Sequence, residues 1–195
     1  MTEKFQNKYR IPSARLQDWD YGANGSYFIT ICTQNREHYF GEISNDEMQL
    51  NEMGDCANKF WDEIPKHFPF VELGNYVVMP NHVHGILIID KPVNDGNSES
   101  IVETRLIASL SINDDIQNKK VGGFAGDKNP MFHENISRVI RWYKGRCSFE
   151  IGKLNGAFAW QPRFHDHIIR NAESFDQIQN YIQTNPSNWD KDKFH

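Results

Sequence analysis

Two apolar runs joined by a dipeptide constrain this chain more than any other feature. Phe70–Met79, interrupted by Gly74-Asn75, and His82–Ile89 (HVHGILII) both read as core strands. Only Pro80-Asn81 separates them. So short a link makes the pair an antiparallel hairpin. The second run carries His82 and His84, which at i and i+2 on a strand share one face. That is how a strand presents two imidazoles to one metal ion. A buried imidazole pair also needs partners for its ring nitrogens. The opposing reading is two histidines with ordinary hydrogen bonds, and spacing alone does not choose. Asn81 either orients a ligand or supplies turn chemistry.

The 195 residues predict one domain, 1–195, long enough to bury a core without disulfides. Within it, residues 1–20 read as a polar arm, 91–130 as a loop or insertion, and 171–195 as a C-terminal helix and tail. Hydrophobic content is 38%, but 13% of residues are aromatic, enough to carry much of a core or to stack on a ligand. Cys32, Cys56 and Cys147 form no CxxC, which argues for a reducing compartment and against a cysteine-rich zinc site. No apolar stretch approaches the roughly 20 residues of a membrane span, and the N-terminus has no signal-like apolar region, so a cytoplasmic protein is expected. A net charge of −5 argues against a general nucleic-acid coat protein, while leaving room for a local basic site.

The order of elements gives a fold class. Ser26–Thr33 (SYFITICT) reads as a strand, with His38–Ile43 pairing back onto it. Asn45 is a candidate cap for a helix from about Met48 to Ile64, ended by Pro65. After the hairpin, a short helix is expected at 101–110 within the insertion. A longer helix follows over Phe132–Ile151, then a strand at Arg163–Ile169 and a helix at Ser174–Gln183. Strand, helix, strand, strand, helix, strand is the split βαβ pattern. The expected fold is α+β, ferredoxin-like (RRM-like), with a central antiparallel sheet and helices on one face.

The helix after the insertion places Ile136, Val139, Ile140, Tyr143 and Cys147 on one stripe. Tyr143 should therefore look toward the sheet, where it meets the histidines if they share that face. Arg138, Arg141, Lys144 and Arg146 surround it, a local anion-binding signal in an acidic chain. Metal, tyrosine and cations fit one chemistry. A metal withdraws charge from a phosphate, a Tyr hydroxyl attacks phosphorus, and cations offset the developing charge. The plainer readings are a packed aromatic for Tyr143 and a solvated helix face for the cations. Trp160 and Trp189 are candidates for base stacking, with core packing the better reading.

Four stretches in order, YVVMPNHVHGILII, RVIRWYKGR, FAWQPRFHDHIIRN and YIQTNPSNW, resemble the REP-associated tyrosine transposases of the insertion-sequence-200-like, single-tyrosine HUH superfamily. The resemblance covers roughly Ser26 to Trp189. It implies a ferredoxin-like catalytic domain, a divalent metal (Mg²⁺ or Mn²⁺) on His82 and His84, and Tyr143 as nucleophile. It implies cleavage and rejoining of single-stranded DNA beside a hairpin, through a 5′-phosphotyrosine and a free 3′-hydroxyl. A monomer or a homodimer is compatible with it. In some relatives a Gln four residues after the tyrosine helps bind the metal, and here Cys147 stands there. His165, Asp166 and His167 are in the right chemical class for a third ligand, but nothing in the sequence places them at the metal. Structural or DNA-contacting roles are the better reading for His165 and His167, which share a face. Two other functions compete: a non-catalytic nucleic-acid-binding protein on an RRM-like sheet, and a metallohydrolase using His82, His84, His165 and His167.

Overall fold

Three asparagines set the helix starts. In a computed structural model of the chain, which describes residues 20–92 and 134–192, Asn51 caps α1 (Glu52–Asp62), Asn135 caps α3 (Ile136–Leu154) and Asn171 caps α4 (Ala172–Thr184). Each side chain accepts from backbone N–H groups of the first turn, which otherwise lack partners. A short helix, α2 (Ile64–His67), holds Pro65 in its first turn, where a missing N–H costs nothing. The N-terminal arm and most of the 91–130 insertion, with its expected helix at 101–110, lie outside the described residues.

The main sheet comprises β1 (Gly25–Cys32), β4 (Val71–Met79), β5 (His82–Ile89) and β6 (His165–Ile169), in the order β4-β5-β1-β6 with every neighbour antiparallel. With α1 and α3 as the two connecting helices, this is the expected α+β ferredoxin-like arrangement. Met79 faces His82 across the Pro80-Asn81 link, so the hairpin is as tight as its sequence.

The segment before α1 departs from expectation. His38–Ile43 does not return onto β1. Instead β2 (Gly41–Ser44) and β3 (Glu47–Leu50) form a separate hairpin. Asn45 and Asp46 are its two loop residues, both at positive φ (53° and 62°), so Asn45 makes a turn and Asn51 does the capping. Asn and Asp tolerate that conformation better than other non-glycine residues.

Strand alternation divides the side chains between two faces. Tyr27, Ile29, Ile31, Val83 and Leu87 join α1 and α3 in the larger core cluster. Phe28, Ile86, Ile88 and Ile169 face the other way and pack with Phe175, Ile178 and Ile182 of α4. The connecting helices share one face, as expected. The C-terminal helix covers part of the opposite face, and that placement decides where the site lies. Gly85 belongs to the first face: a Cβ there would come within 2.3 Å of the Trp61 ring, so α1 packs this closely only because residue 85 is glycine.

Candidate metal centre and its tyrosine

His82 and His84 lie on the α4 side of the sheet, both essentially buried. Their surroundings orient them. His82 Nδ1 is 2.8 Å from Asn81 Oδ1. The Asn81 amide is itself turned by its Nδ2, which donates to the Arg36 carbonyl at 3.3 Å. An amide oxygen only accepts, so His82 carries its hydrogen on Nδ1 and its lone pair on Nε2, the tautomer a metal ligand needs. The Asn81 backbone carbonyl accepts from both the N–H and the hydroxyl of Thr33, fixing the turn to the end of β1. Asn81 therefore serves both readings at once: its backbone anchors the turn and its side chain orients a ring.

His84 Nδ1 is 2.8 Å from the hydroxyl of Thr30, its cross-strand neighbour. Its Nε2 is 3.2 Å from the Tyr181 hydroxyl, which donates to Asp192 Oδ2 at 3.0 Å. Asn185 Nδ2 donates to the same carboxylate oxygen at 2.8 Å. Thr30 suits either tautomer of His84, because a hydroxyl both donates and accepts.

Asp192 reaches the histidines because the chain reverses after α4. Pro186 opens a 3-10 turn (Pro186–Lys191), and Asp192 follows it. Ligand atoms of His82, His84 and Asp192 all lie within 4.8 Å of one another. Two imidazoles and a carboxylate form an N,N,O donor set of the kind that holds a divalent ion. The buried Asn185 Oδ1 makes no hydrogen bond among the described residues, so an unsatisfied oxygen also sits beside the cluster. Trp189, in the same turn, stacks on the His82 ring at 6.0 Å and 29°. Burial, and then the Asp192 carboxylate, push the Tyr181 phenol above its ordinary pKa.

Tyr143 is elsewhere. It faces the sheet as its stripe requires, but on the α1/α3 side, away from His82 and His84. It is fully buried, its hydroxyl donates to the Ala57 carbonyl at 3.1 Å, and its ring meets Trp61 edge-on at 5.1 Å. Burial, then Cys147, drive its pKa well above the usual value. The expectation that Tyr143 approaches the histidine pair is overturned. The tyrosine at the pair is Tyr181, and the residue four positions after it is Asn185, an amide like the Gln of some relatives. That polar residue was the available signal, since four after Tyr143 comes the buried thiol of Cys147.

The basic residues also separate. Lys144 Nζ donates to the carbonyls of Gln161 (2.6 Å) and Arg163 (2.8 Å), tying α3 to the segment before β6. Trp160 Nε1 donates to the Lys144 carbonyl at 3.2 Å within the core, so Trp160 is a packing residue. Arg138, Arg141 and Arg146 are exposed on α3, a helix that packs on the face opposite the histidines. His165 and His167 are exposed on β6, and β1 runs between them and β5, with Thr30 opposite both His84 and His165. They do not join the cluster; Asp192 does.

No family model matches the chain. An uncharacterized protein of Haemophilus influenzae (strain ATCC 51907 / DSM 11121 / KW20 / Rd) is 34% identical over 184 residues, covering 94% of this chain and 92% of that protein. Among solved structures, a REP-associated tyrosine transposase bound to a REP hairpin superposes with a TM-score of 0.53 at 20% identity, covering 90% of this chain and 73% of that one. The chain thus has the fold of that transposase, and it belongs to one family with the Haemophilus influenzae protein.

Proposed function

We propose that the chain is a divalent-metal-dependent transposase that cleaves and rejoins single-stranded DNA beside a hairpin, with Tyr181 as its nucleophile. One observation carries this reading: the Tyr181 hydroxyl, on a residue 37% exposed, stands 3.2 Å from His84 Nε2 within the His82, His84 and Asp192 cluster. A reachable tyrosine beside a metal-competent donor set is what phosphodiester cleavage through phosphotyrosine requires. The hairpin held by the solved transposase of the same fold supports the substrate class.

His82, His84 and Asp192 would hold Mg²⁺ or Mn²⁺, which when bound would polarise the scissile phosphate. The side chains of the chain do the rest. Asn81 and Thr30 hold the two rings in place. Asp192 already accepts the Tyr181 hydrogen bond and is positioned to take its proton. The phenolate oxygen then attacks phosphorus. The bond to the 3′-oxygen breaks, that oxygen takes up the proton held by Asp192 and leaves as a 3′-hydroxyl, and the 5′-phosphate remains on Tyr181. Rejoining is the reverse, with another 3′-hydroxyl as nucleophile and Tyr181 as leaving group. His165 and His167, exposed on the same face beyond Thr30, lie along a path open to the substrate strand. Tyr181 and the three ligands come from one chain, so this chemistry needs no second copy.

The test is direct. The protein is incubated with labelled hairpin oligonucleotides and Mn²⁺, then denatured and separated by size. A covalent adduct that needs Mn²⁺ and Tyr181 supports the assignment. An adduct that persists in Tyr181→Phe removes Tyr181 from its role, and hydrolysis without an adduct favours a metallohydrolase.

A further inference from the structure

The exposed side of α3 carries a groove that the cleavage chemistry does not use. Its volume is about 500 Å³, and Arg138, Arg141, Trp142, Gly145, Arg146 and the His67–Phe68 pair line it. An α-helix turns about 100° per residue. Trp142 and Gly145 therefore lie close to the line of Arg138, with Arg141 on one side and Arg146 on the other. A Cβ on Gly145 would meet nothing within 4 Å, so the groove is open at that point. Trp142 packs against the His67 ring at 4.3 Å and the Phe68 ring at 5.7 Å, forming an aromatic wall. The Arg138 guanidinium lies 5.9 Å from the Phe68 ring, and that of Arg146 lies 5.0 Å from the Phe60 ring. Cations braced on rings lose less freedom on meeting an anion.

Among the described residues lining the groove, none is acidic. Arg146 has Glu150 at 3.6 Å outside it, and Glu150 is also engaged by Lys153 at 2.6 Å. A cluster of arginines in a chain of net charge −5 is a local feature, not a reflection of general basicity. Phe60 and Phe68 are buried and serve only to brace the arginines, while His67 and Trp142 are the rings open to solvent. Arginine forks beside two accessible rings match the needs of a single-stranded polynucleotide, whose phosphates take the forks and whose bases take the rings.

We propose that this groove is a second single-stranded DNA site, which binds a stretch of strand away from the cleavage point. It lies on the helical layer, across the sheet from Tyr181, so its occupant is not the segment being cut. The proposal takes only its ligand class from the proposed function.

The experiment uses the full chain, a fluorescent oligodeoxynucleotide without self-complementarity, and EDTA to prevent cleavage. Binding is followed by anisotropy across a salt titration. Arg138→Gln with Arg141→Gln is expected to weaken binding roughly tenfold. It should also flatten the dependence of log K on log salt by about 1.4, two contacts at roughly 0.7 each. Gly145→Glu, at an open helical position, should weaken binding similarly, with Gly145→Gln much milder. All variants should still form the Tyr181 adduct on a short hairpin substrate. Unchanged affinity and salt slope in the arginine variant overturns the proposal. So does displacement of the DNA by polyglutamate as readily as by unlabelled DNA, or failure of the wild type to bind. Binding without any adduct overturns only the proposed transposase chemistry and leaves the groove standing.

Discussion

The Tyr181 hydroxyl and the His84 imidazole meet 3.2 Å apart although 97 residues separate them in the chain. The contact joins a helix that lies outside the split βαβ unit to the strand at its centre. It also gives Tyr181 and Tyr143 different expected roles, the partly exposed Tyr181 in chemistry and the fully buried Tyr143 in packing.

Substitution of each tyrosine separates these roles. Tyr181→Phe should abolish the covalent DNA adduct while leaving the fold intact. Tyr143→Phe should keep the adduct and lose the buried hydrogen bond to the Ala57 carbonyl, at a cost of about 1 kcal/mol in urea denaturation. An adduct lost only in Tyr143→Phe would reverse the assignment.

Asn81 should matter to metal binding without touching the metal. Its Oδ1 accepts from His82 Nδ1, and its backbone carbonyl independently anchors Thr33. Asn81→Ala removes the first interaction and keeps the second. Loss of such an outer partner typically lowers metal affinity by about 10- to 100-fold. Calorimetric titration with Mn²⁺ measures the change, and wild-type affinity in Asn81→Ala would show that the orientation of the His82 ring is immaterial.

Much of this architecture was readable in the residues. The hairpin around Pro80-Asn81 and the split βαβ order follow from apolar runs and link lengths. The face on which each helix would lie did not follow. β1 and β5 are apolar on both sides, with Tyr27, Ile29 and Leu87 facing one way and Phe28, Ile86 and Ile88 the other. No alternation therefore marked which side α1 and α3 would take. Tyr143 lies on a clean helical stripe, which specifies burial but not proximity to the histidines. Asp192 was hidden for a different reason: it reaches the site only through a 3-10 reversal, which has no side-chain period to read. The Asn45-Asp46 hairpin was masked by the helical spacing that follows it.

Gly85, the residue after His84, provides a test of packing across the sheet. A Cβ at that position would sit 2.3 Å from the Trp61 ring and 2.9 Å from Tyr76 Cβ. Trp61 is fully buried and has little room to retreat. Gly85→Ala should therefore destabilise the protein by about 1–3 kcal/mol, the usual cost of overpacking. The midpoint of urea denaturation should fall. Because the new methyl points away from the histidines, Mn²⁺ affinity of the folded protein should be unchanged.

Asn185 allows the metal centre to be tested without any DNA. Its Nδ2 donates to Asp192 Oδ2 at 2.8 Å, and its Oδ1 makes no hydrogen bond among the described residues. Asn185→Asp keeps the shape but replaces the donor with a second carboxylate. Two anions at that distance in a buried setting repel, and the bond to Asp192 is lost, so the metal-free variant should be less stable by about 2 kcal/mol or more. A divalent ion between His82, His84 and Asp192 would offset that repulsion. Mn²⁺ should then raise the melting temperature of Asn185→Asp by more than it raises that of the wild type, since a ligand that binds only the folded state stabilises it in proportion to RT ln(1 + [L]/Kd). Differential scanning fluorimetry with and without Mn²⁺ reads both numbers. If the variant is destabilised but Mn²⁺ restores nothing, Asp192 and its neighbours do not form an ion site.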